Sequence, residues 1–110
     1  MTPPFEIDSA LLAKWFGGRA GLWSFEPTHS TARLHVRLPV RAEILELVCV
    51  GCIRISGPVH WQGSNLEVTT EYDPSEHASL RVLRDRKAGF EVRCLSLGGI
   101  ERSINDLTAD

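Results

Sequence analysis

The chain of 110 residues contains no uncharged apolar stretch that approaches the ~18 residues expected of a membrane-spanning helix. Its first residues also lack the basic and then apolar layout of a signal peptide. It has only three cysteines, and an odd number without a secretion signal favours free thiols in a reducing compartment. We therefore expect a cytoplasmic protein without a membrane partner.

A strong excess of charge of one sign is absent as well. The formal net charge at pH 7 is −2, which provides no overall attraction to nucleic acid or to an anionic membrane. Phosphate-binding glycine loops, G-x-S-x-G elbows and closely spaced histidine pairs are also missing. Because no set of catalytic residues stands out, a non-catalytic role is the leading interpretation.

The remaining composition is typical of a globular protein. Hydrophobic residues make up 43% of the chain and charged residues 24%. A chain of this length forms a modest hydrophobic core without disulfides or metals. One folded domain over residues 1–110 is predicted, with no internal repeat.

A short helix is predicted near the beginning of the chain, over residues 5–16. Asp8 is placed to accept hydrogen bonds from its first free amides, and Gly17 favours the left-handed conformation that ends a helix. A broad apolar face predicts that the helix packs against another element; this face consists of Leu11, Leu12, Trp15 and Phe16.

The hydrophobic period changes to two after this region and predicts a strand with one solvated face over residues 31–38. Residues 44–50 differ, because apolar side chains fall on both faces, which is typical of a strand covered on both sides. We expect this strand at the centre of the sheet, under a helix on one face and a partner subunit on the other. The prediction of a homodimer rests on this strand.

Further strands and turns follow from the same patterns. Strands are predicted over residues 22–25, 59–62, 66–72, 80–84 and 90–97. The last two flank a five-residue hairpin loop at 85–89. A single helical turn is predicted at 73–76, and the spacing of Ile100, Ile104 and Leu107 predicts a C-terminal helix.

Short strands with turn-length connections indicate antiparallel pairing, since parallel pairing requires long crossovers. The predicted fold class is therefore α+β. It consists of a mainly antiparallel sheet of five to seven strands with an N-terminal helix and a short C-terminal helix. A partly closed small β-barrel is the alternative.

Cys49 and Cys52 are separated by two residues within the most apolar run of the chain. In a continuous strand their side chains point to opposite faces about 10 Å apart, which is too far for a disulfide or a shared zinc ion. A tight turn at Gly51 would instead direct both sulfurs one way, and a metal or thiol site would then recruit Cys94 and His60. Core packing without a cofactor is the leading interpretation, because free cysteine is among the most buried residue types, and zinc is the alternative.

Three basic or titratable residues, Arg33, His35 and Arg37, alternate on the solvated side of the strand predicted at 31–38. Such a stripe suits the binding of phosphate or of a single nucleic-acid strand that crosses a sheet. The favoured alternative is a solvated face that pairs across strands with Glu67 and Glu71.

Two further regions are candidates for binding. Arg84 and Arg86 belong to segment 81–93, which has a local excess of positive charge. This excess suits contact with nucleic acid or an acidic partner, or else protects a sheet edge from aggregation. Trp61 lies beside His60 after a Gly-Pro turn and either lines a ligand groove or is buried at the end of a strand.

Together these patterns favour a small non-catalytic domain that binds a ligand or another protein and forms a homodimer. One alternative is a metal or thiol site at Cys49, Cys52 and Cys94. The other is a nucleic-acid-binding module that uses Arg33, Arg37 and the basic hairpin 81–93.

Overall fold

The computed structural model describes residues 5–103, and most of them belong to one antiparallel sheet. Along the chain the elements are β1 (Phe5–Glu6), α1 (Ser9–Ala13), β2 (Arg19–Glu26), β3 (Thr31–Arg37), β4 (Glu43–Ser56), β5 (His60–Trp61), β6 (Glu67–Asp73), β7 (Ala78–Asp85) and β8 (Phe90–Ser103). The strand order is β5-β2-β3-β4-β8-β7-β6, and β1 pairs separately with β8. The sheet curves into a half-barrel.

The prediction of a mainly antiparallel sheet is confirmed, whereas helix contributes little. The α-helix of the described residues, α1, has five residues, so the α+β class fits only loosely. The barrel alternative holds in part, because the sheet is curved like half of a barrel and has β5 and β6 as its edges. No helix within residues 5–103 is long and apolar enough to cross a membrane.

The strand that is apolar on both faces is the middle strand, β4, as predicted. It pairs with β3 on one side and with β8 on the other. Leu47 of β4, for example, lies between Leu34 of β3 and Gly99 of β8. Neighbouring strands protect both edges of β4 and side chains cover much of both faces, which explains why its sequence is apolar nearly throughout.

The main hydrophobic core lies on the face of the sheet that carries α1. Ile7, Leu12 and Trp15 pack there against buried strand residues, which are Ala20, Ala32, Leu34, Val36, Leu45, Leu47, Cys49, Leu83, Phe90, Val92, Cys94 and Leu97. Gly99 provides the space for Ile7, since a Cβ atom on this glycine would overlap the Ile7 Cδ1 atom. Full burial of such a side chain is worth about 1.5–3 kcal/mol, so it holds the N-terminal segment on the sheet.

The helix predicted over residues 5–16 is wrong at both ends, because β1 occupies its start and α1 ends after five residues. Asp8 caps α1 as predicted, and its carboxylate accepts a hydrogen bond from the Leu11 amide at 2.9 Å. After α1 the chain tightens into turns closed by hydrogen bonds between residues three apart. This tighter winding buries Trp15 but leaves Phe16 63% exposed, so the predicted apolar face is only partly buried.

Two other predicted helical segments are strand or turn. Residues 100–103 pair with β4 and continue β8, so the C-terminal helix is wrong there; its remainder, from Ile104 on, lies outside the described residues. Residues 74–77 form a turn, in which the Asp73 carboxylate accepts backbone hydrogen bonds. The hairpin loop is shorter than predicted, because Asp85 belongs to β7.

The face of the sheet opposite α1, which we call the outer face, carries the other side chains of β4. Ile44 and Val48 lie there with exposures of only 0% and 7%. The chain itself therefore covers the positions at which a partner subunit was expected. Exposed apolar side chains occur instead further along β4 and on β8, at Val50, Ile53, Ile55 and Leu95. The homodimer stays a prediction.

Candidate functional site

Four residues of neighbouring strands form a row across the outer face. His60 of β5 lies opposite Gly21 of β2. Gly21 in turn lies opposite His35 of β3, and His35 lies opposite Glu46 of β4. Side chains at directly opposed positions of antiparallel strands share a face. Gly21 has no side chain, and a Cβ atom there would lie 3.0 Å from His60 Cβ, so His60 packs closely on the Gly21 backbone, which lines a groove.

The groove has a volume of about 600 Å³ and lies over β5, β2 and β3. It is lined by Arg19, Ala20, Gly21, Leu22, Trp23, His35, Arg37, His60, Trp61 and Gln62. This lining of described residues combines guanidinium groups, imidazoles and indoles, and it includes no carboxylate, hydroxyl or thiol. Hydrogen-bond donors and cations around a semi-enclosed space suit an anionic group.

Trp23 owes its place in the groove to an irregularity in β2. The pairing register between β2 and β3 shifts between Leu22 and Ser24, so Trp23 is an extra residue on its strand. Bulges of this kind redirect a side chain out of the regular alternation. The indole of Trp23 stacks on the imidazole of His35, with ring centroids 4.5 Å apart and planes inclined by 21°. Trp23 remains 62% exposed, so it forms a wall that a ligand can contact.

His35 is held from the other side by Glu46. Its Nε2 lies 2.9 Å from Glu46 Oε1, and both side chains are buried. The same carboxylate accepts hydrogen bonds from Arg33 at 3.4 Å and from Arg102 at 3.4 Å. Both oxygens of this carboxylate already act as hydrogen-bond acceptors toward guanidinium groups. The Nε2 atom of His35 therefore carries a hydrogen and donates it to Glu46.

The charge of the groove depends on the protonation of His35. Burial lowers the pKa of His35 below its ordinary value of 6.5. The hydrogen bond and the charge of Glu46 oppose this shift, while the positive charges of Arg102 and Arg33 add to it. The ring is therefore neutral at pH 7, and the fixed positive charge of the groove comes from Arg19 and Arg37.

Arg19 and Arg37 are directly opposed on β2 and β3, so two like charges lie side by side at the open end of the groove. Both are exposed, and within residues 5–103 neither guanidinium forms an ion pair. Like charges directly opposed on neighbouring strands destabilise a sheet. The two arginines also line a second, adjoining depression, which adds Arg41. Arg41 lies over the Trp15 ring, 4.7 Å from its centroid.

The three residues of the predicted basic stripe therefore make different contacts. Arg33 and His35 bind Glu46, whereas Arg37 lines the groove. The expected pairing with Glu67 and Glu71 is wrong, because both glutamates belong to β6, at the far edge of the sheet from β3. The carboxylate that binds Arg33 and His35 is instead that of Glu46, in the apolar strand β4.

The arginines of the β7–β8 hairpin are paired with carboxylates. Arg84 donates to Glu91 at 2.7 Å and also contacts Glu71. Arg86 forms an ion pair with Glu67. These pairs neutralise much of the local positive charge that the sequence shows in this hairpin.

The indole of Trp61 is anchored against the core, and a ligand-binding role for this residue stays a prediction. Its indole N–H donates to Asp85 Oδ2 at 2.7 Å, and its ring packs edge-on against Phe90. Asp85 is buried and also accepts from the Asn65 amide at 2.8 Å. Trp61 is therefore anchored by the fold while it lines one side of the groove.

The three cysteines come together because β4, although one strand through residues 49–52, is irregular there. Cys49 and Cys94 belong to the main core, and Cys52 packs against it. Gly51 has a φ of +68°, and this left-handed residue changes the direction of the side chains that follow it. His60 lies on β5, three strands from β4. No group of three or more His, Cys, Asp or Glu side chains suited to a metal ion occurs in the described part of the chain.

Several groove residues were not singled out in the sequence. Arg19 and Gly21 lie between the predicted N-terminal helix and the strand predicted over 22–25, and Trp23 lies in that predicted strand without further role. Glu46 carries a recognisable signal, since it is a carboxylate in the middle of an apolar strand, where an ionised group requires partners.

Comparisons with models of protein families, with curated proteins and with solved structures found no match for this chain.

Proposed function

We propose that this chain is a non-catalytic binding domain whose groove holds the anionic group of a ligand between Arg19 and Arg37. The observation that carries the proposal is the side-by-side placement of these two arginines without an ion pair inside the described chain. Their mutual repulsion disfavours the folded state, and an anion bound between them would remove it. A guanidinium group presents a planar fork of donors that fits a carboxylate or a phosphate.

The rest of the groove supports a ligand that also contains a planar ring. Trp23 presents an exposed indole in the groove. Indole rings stack well on other flat groups. A volume of about 600 Å³ is within the range typical of small-molecule sites. The expected ligand is therefore a small aromatic anion.

A binding role is favoured over catalysis by the chemistry of the lining. Within the described residues it offers no hydroxyl or thiol as a nucleophile and no carboxylate as a general acid or base. Its titratable side chains other than arginine are His35 and His60, with no nucleophile beside them in the lining. The neutral His35 ring serves as the support on which Trp23 stacks.

The proposal is tested by titrating the protein with two aromatic anions, a nucleoside monophosphate and an indole carboxylate, each beside its uncharged counterpart. Quenching of tryptophan fluorescence and amide shifts in NMR spectra report binding at Trp23. We expect at least one of the anions to bind and its uncharged counterpart to bind at least about tenfold more weakly, as for loss of a charged hydrogen bond. The two anions distinguish a phosphate from a carboxylate ligand.

A variant pair locates the site. Arg37→Ala is expected to weaken binding of the anion by roughly ten- to a hundredfold, since a hydrogen bond to a charged group contributes about 1.5–3 kcal/mol. Arg54→Ala is the matched control, because Arg54 is an exposed strand arginine outside the groove. Equal affinity for charged and uncharged compounds, or equal losses in the two variants, would overturn the proposal.

A further inference from the structure

A second site lies away from the groove, where β4 and β8 carry the three cysteines. Cys49 and Cys94 are buried, and Cys52 is half-buried. The Cys52 thiol, when protonated, donates to the Cys49 carbonyl oxygen at 3.3 Å. The Cys94 thiol is 3.7 Å from the Arg81 carbonyl oxygen. Three thiols thus share one small region of the core, with Cys52 nearest to solvent.

Cys52 and Cys94 are directly opposed in the register of β4 and β8. The Cys52 amide donates to Ser30 O at 2.8 Å, so it points away from β8. The pair is therefore of the closer, non-hydrogen-bonded type, in which Cα atoms are about 4.5 Å apart. This separation lies inside the window of about 4.4–6.8 Å in which a disulfide forms without backbone movement.

The chemistry of the three thiols differs. The pKa of Cys49 is raised by hydrogen bonding with the Cys52 and Cys94 thiols and by burial. The pKa of Cys52 is lowered, first by the hydrogen bond from the Cys49 thiol and also by the backbone of Ala32, with burial opposing. Since the thiolate is the reactive form, the most accessible cysteine is also the one best able to react.

We propose that Cys52 is a peroxide-reactive thiol and that Cys94 resolves its oxidised form into a reversible cross-strand disulfide. The Cys52 thiolate attacks one oxygen of hydrogen peroxide and the O–O bond breaks, so Cys52 becomes a sulfenic acid, while the other oxygen leaves as hydroxide and takes up the proton that the thiol had released to form water. The Cys94 sulfur then attacks the Cys52 sulfur, the S–O bond breaks and a second water leaves. Two thiols are oxidised and one peroxide is reduced to two waters.

Cys49 is the bystander in this scheme, although it is closest to Cys52 in sequence. Its thiol supports the Cys52 thiolate through a hydrogen bond and stays reduced. The site is independent of the groove, because the groove lining contains no cysteine. Failure of ligand binding would therefore leave this proposal untouched, and the reverse also holds.

The test exposes the folded, full-length protein to hydrogen peroxide, alkylates the remaining thiols after denaturation and maps the products by mass spectrometry. Trypsin places Cys49 and Cys52 in one peptide, residues 42–54, and Cys94 in another, residues 94–102. We expect a cross-linked pair of these two peptides, lighter by two hydrogen atoms, with one alkylated thiol. A thiol reductant is expected to restore three free thiols.

Variants identify the partners. Cys49→Ala is expected to keep the cross-link, whereas Cys52→Ser, a change at the half-buried position, abolishes it. Cys94→Ala is expected to leave Cys52 as a sulfenic acid that dimedone traps. If Cys94→Ala does not fold, the peptide map of the unmodified chain and Cys52→Ser decide the matter. A disulfide within peptide 42–54, loss of the cross-link in Cys49→Ala, or three thiols that resist peroxide would each overturn the proposal.

Discussion

The imidazole of His35 donates its Nε2 hydrogen to Glu46 at 2.9 Å, and both side chains are buried on the outer face of the sheet. The carboxylate lies in the central apolar strand and also binds Arg33 and Arg102. On its other side the same imidazole supports the Trp23 indole. This pair therefore connects the centre of the sheet with the wall of the groove.

A substitution of Glu46 tests how much its contacts stabilise the folded protein. Glu46→Gln is expected to lower the free energy of unfolding by about 1–3 kcal/mol, because hydrogen bonds to a charged group are lost while the partly exposed guanidinium groups of Arg33 and Arg102 remain solvated. Glu67→Gln is the control, since Glu67 forms a largely exposed ion pair with Arg86 and should cost less than about 1 kcal/mol. Urea unfolding followed by tryptophan fluorescence measures both. Equal effects of the two substitutions would contradict a greater stabilising role for the buried Glu46 carboxylate.

The lowered pKa of His35 predicts a dependence of stability on pH. The unfolded chain takes up a proton near the ordinary pKa of 6.5, whereas the folded protein resists it until a lower pH. The free energy of unfolding should therefore fall as the pH decreases below 6.5, and His35 contributes no such slope at higher pH. Urea unfolding at a series of pH values between about 7.5 and 5.5 measures the slope.

Two variants assign this slope to His35. His35→Gln should flatten it over the same interval, whereas His77→Asn, a change at an exposed histidine of the β6–β7 turn, should leave it in place. NMR titration of the imidazole signals gives the same information directly. A slope that survives in His35→Gln, or stability that increases on acidification, would show that another group is responsible.

The irregular backbone of β4 that brings the cysteines together depends on Gly51. A non-glycine residue at its φ of +68° is strained by about 1–2 kcal/mol, and a Cβ atom there would lie 2.9 Å from Leu95 Cδ1. Gly63 has a φ of +65° with no atom near its Cβ position, so Gly63→Ala measures the strain alone. Urea unfolding should show the larger loss for Gly51→Ala. The double variant with Leu95→Ala loses the Cδ1 and Cγ contacts but keeps the Leu95 Cβ position at 3.2 Å, so it should recover part of the difference from Gly63→Ala; no recovery would contradict a contribution of these contacts.

The predicted homodimer is tested at the exposed apolar side chains of β4 and β8. Leu95 is 53% exposed and lies beside Gly51, with Val50 nearby on the adjacent strand. Sedimentation at micromolar concentrations should show a dimer, and Leu95→Glu should convert it to a monomer, because a charge in an apolar contact is unfavourable. Val40→Glu, at an exposed apolar residue outside the sheet, should remain dimeric. A monomeric unmodified protein would contradict the predicted homodimer.

The strands were largely predictable from the sequence, because a period of two in hydrophobicity follows directly from the alternation of side chains along an extended chain. The position of β4 at the centre was predictable for the same reason. The helices were not, since three apolar residues at helical spacing, such as Ile100, Ile104 and Leu107, do not exclude a strand. Residues 100–103 are strand because β4 continues far enough to pair with them.

The candidate site was predictable only in fragments. His35, Arg37 and Trp61 were recognised as candidates, whereas Arg19, Gly21 and Trp23 were not. The missing members come from β2, whose register against β3 and β5 brings them beside the others. The bulge that redirects Trp23 has no unambiguous pattern in the sequence.

By itself, the amino-acid sequence determined an antiparallel sheet, a buried central strand and the absence of a recognisable catalytic motif, since these depend on local periodicity and on residue types. The tertiary structure alone decided which side chains meet. It placed Glu46 under His35, opposed Arg19 to Arg37 and, through the left-handed Gly51, gathered Cys49, Cys52 and Cys94 in one region. Such contacts depend on strand register and on single backbone angles. A shift of one residue in the register would send the same side chains to the opposite face of the sheet.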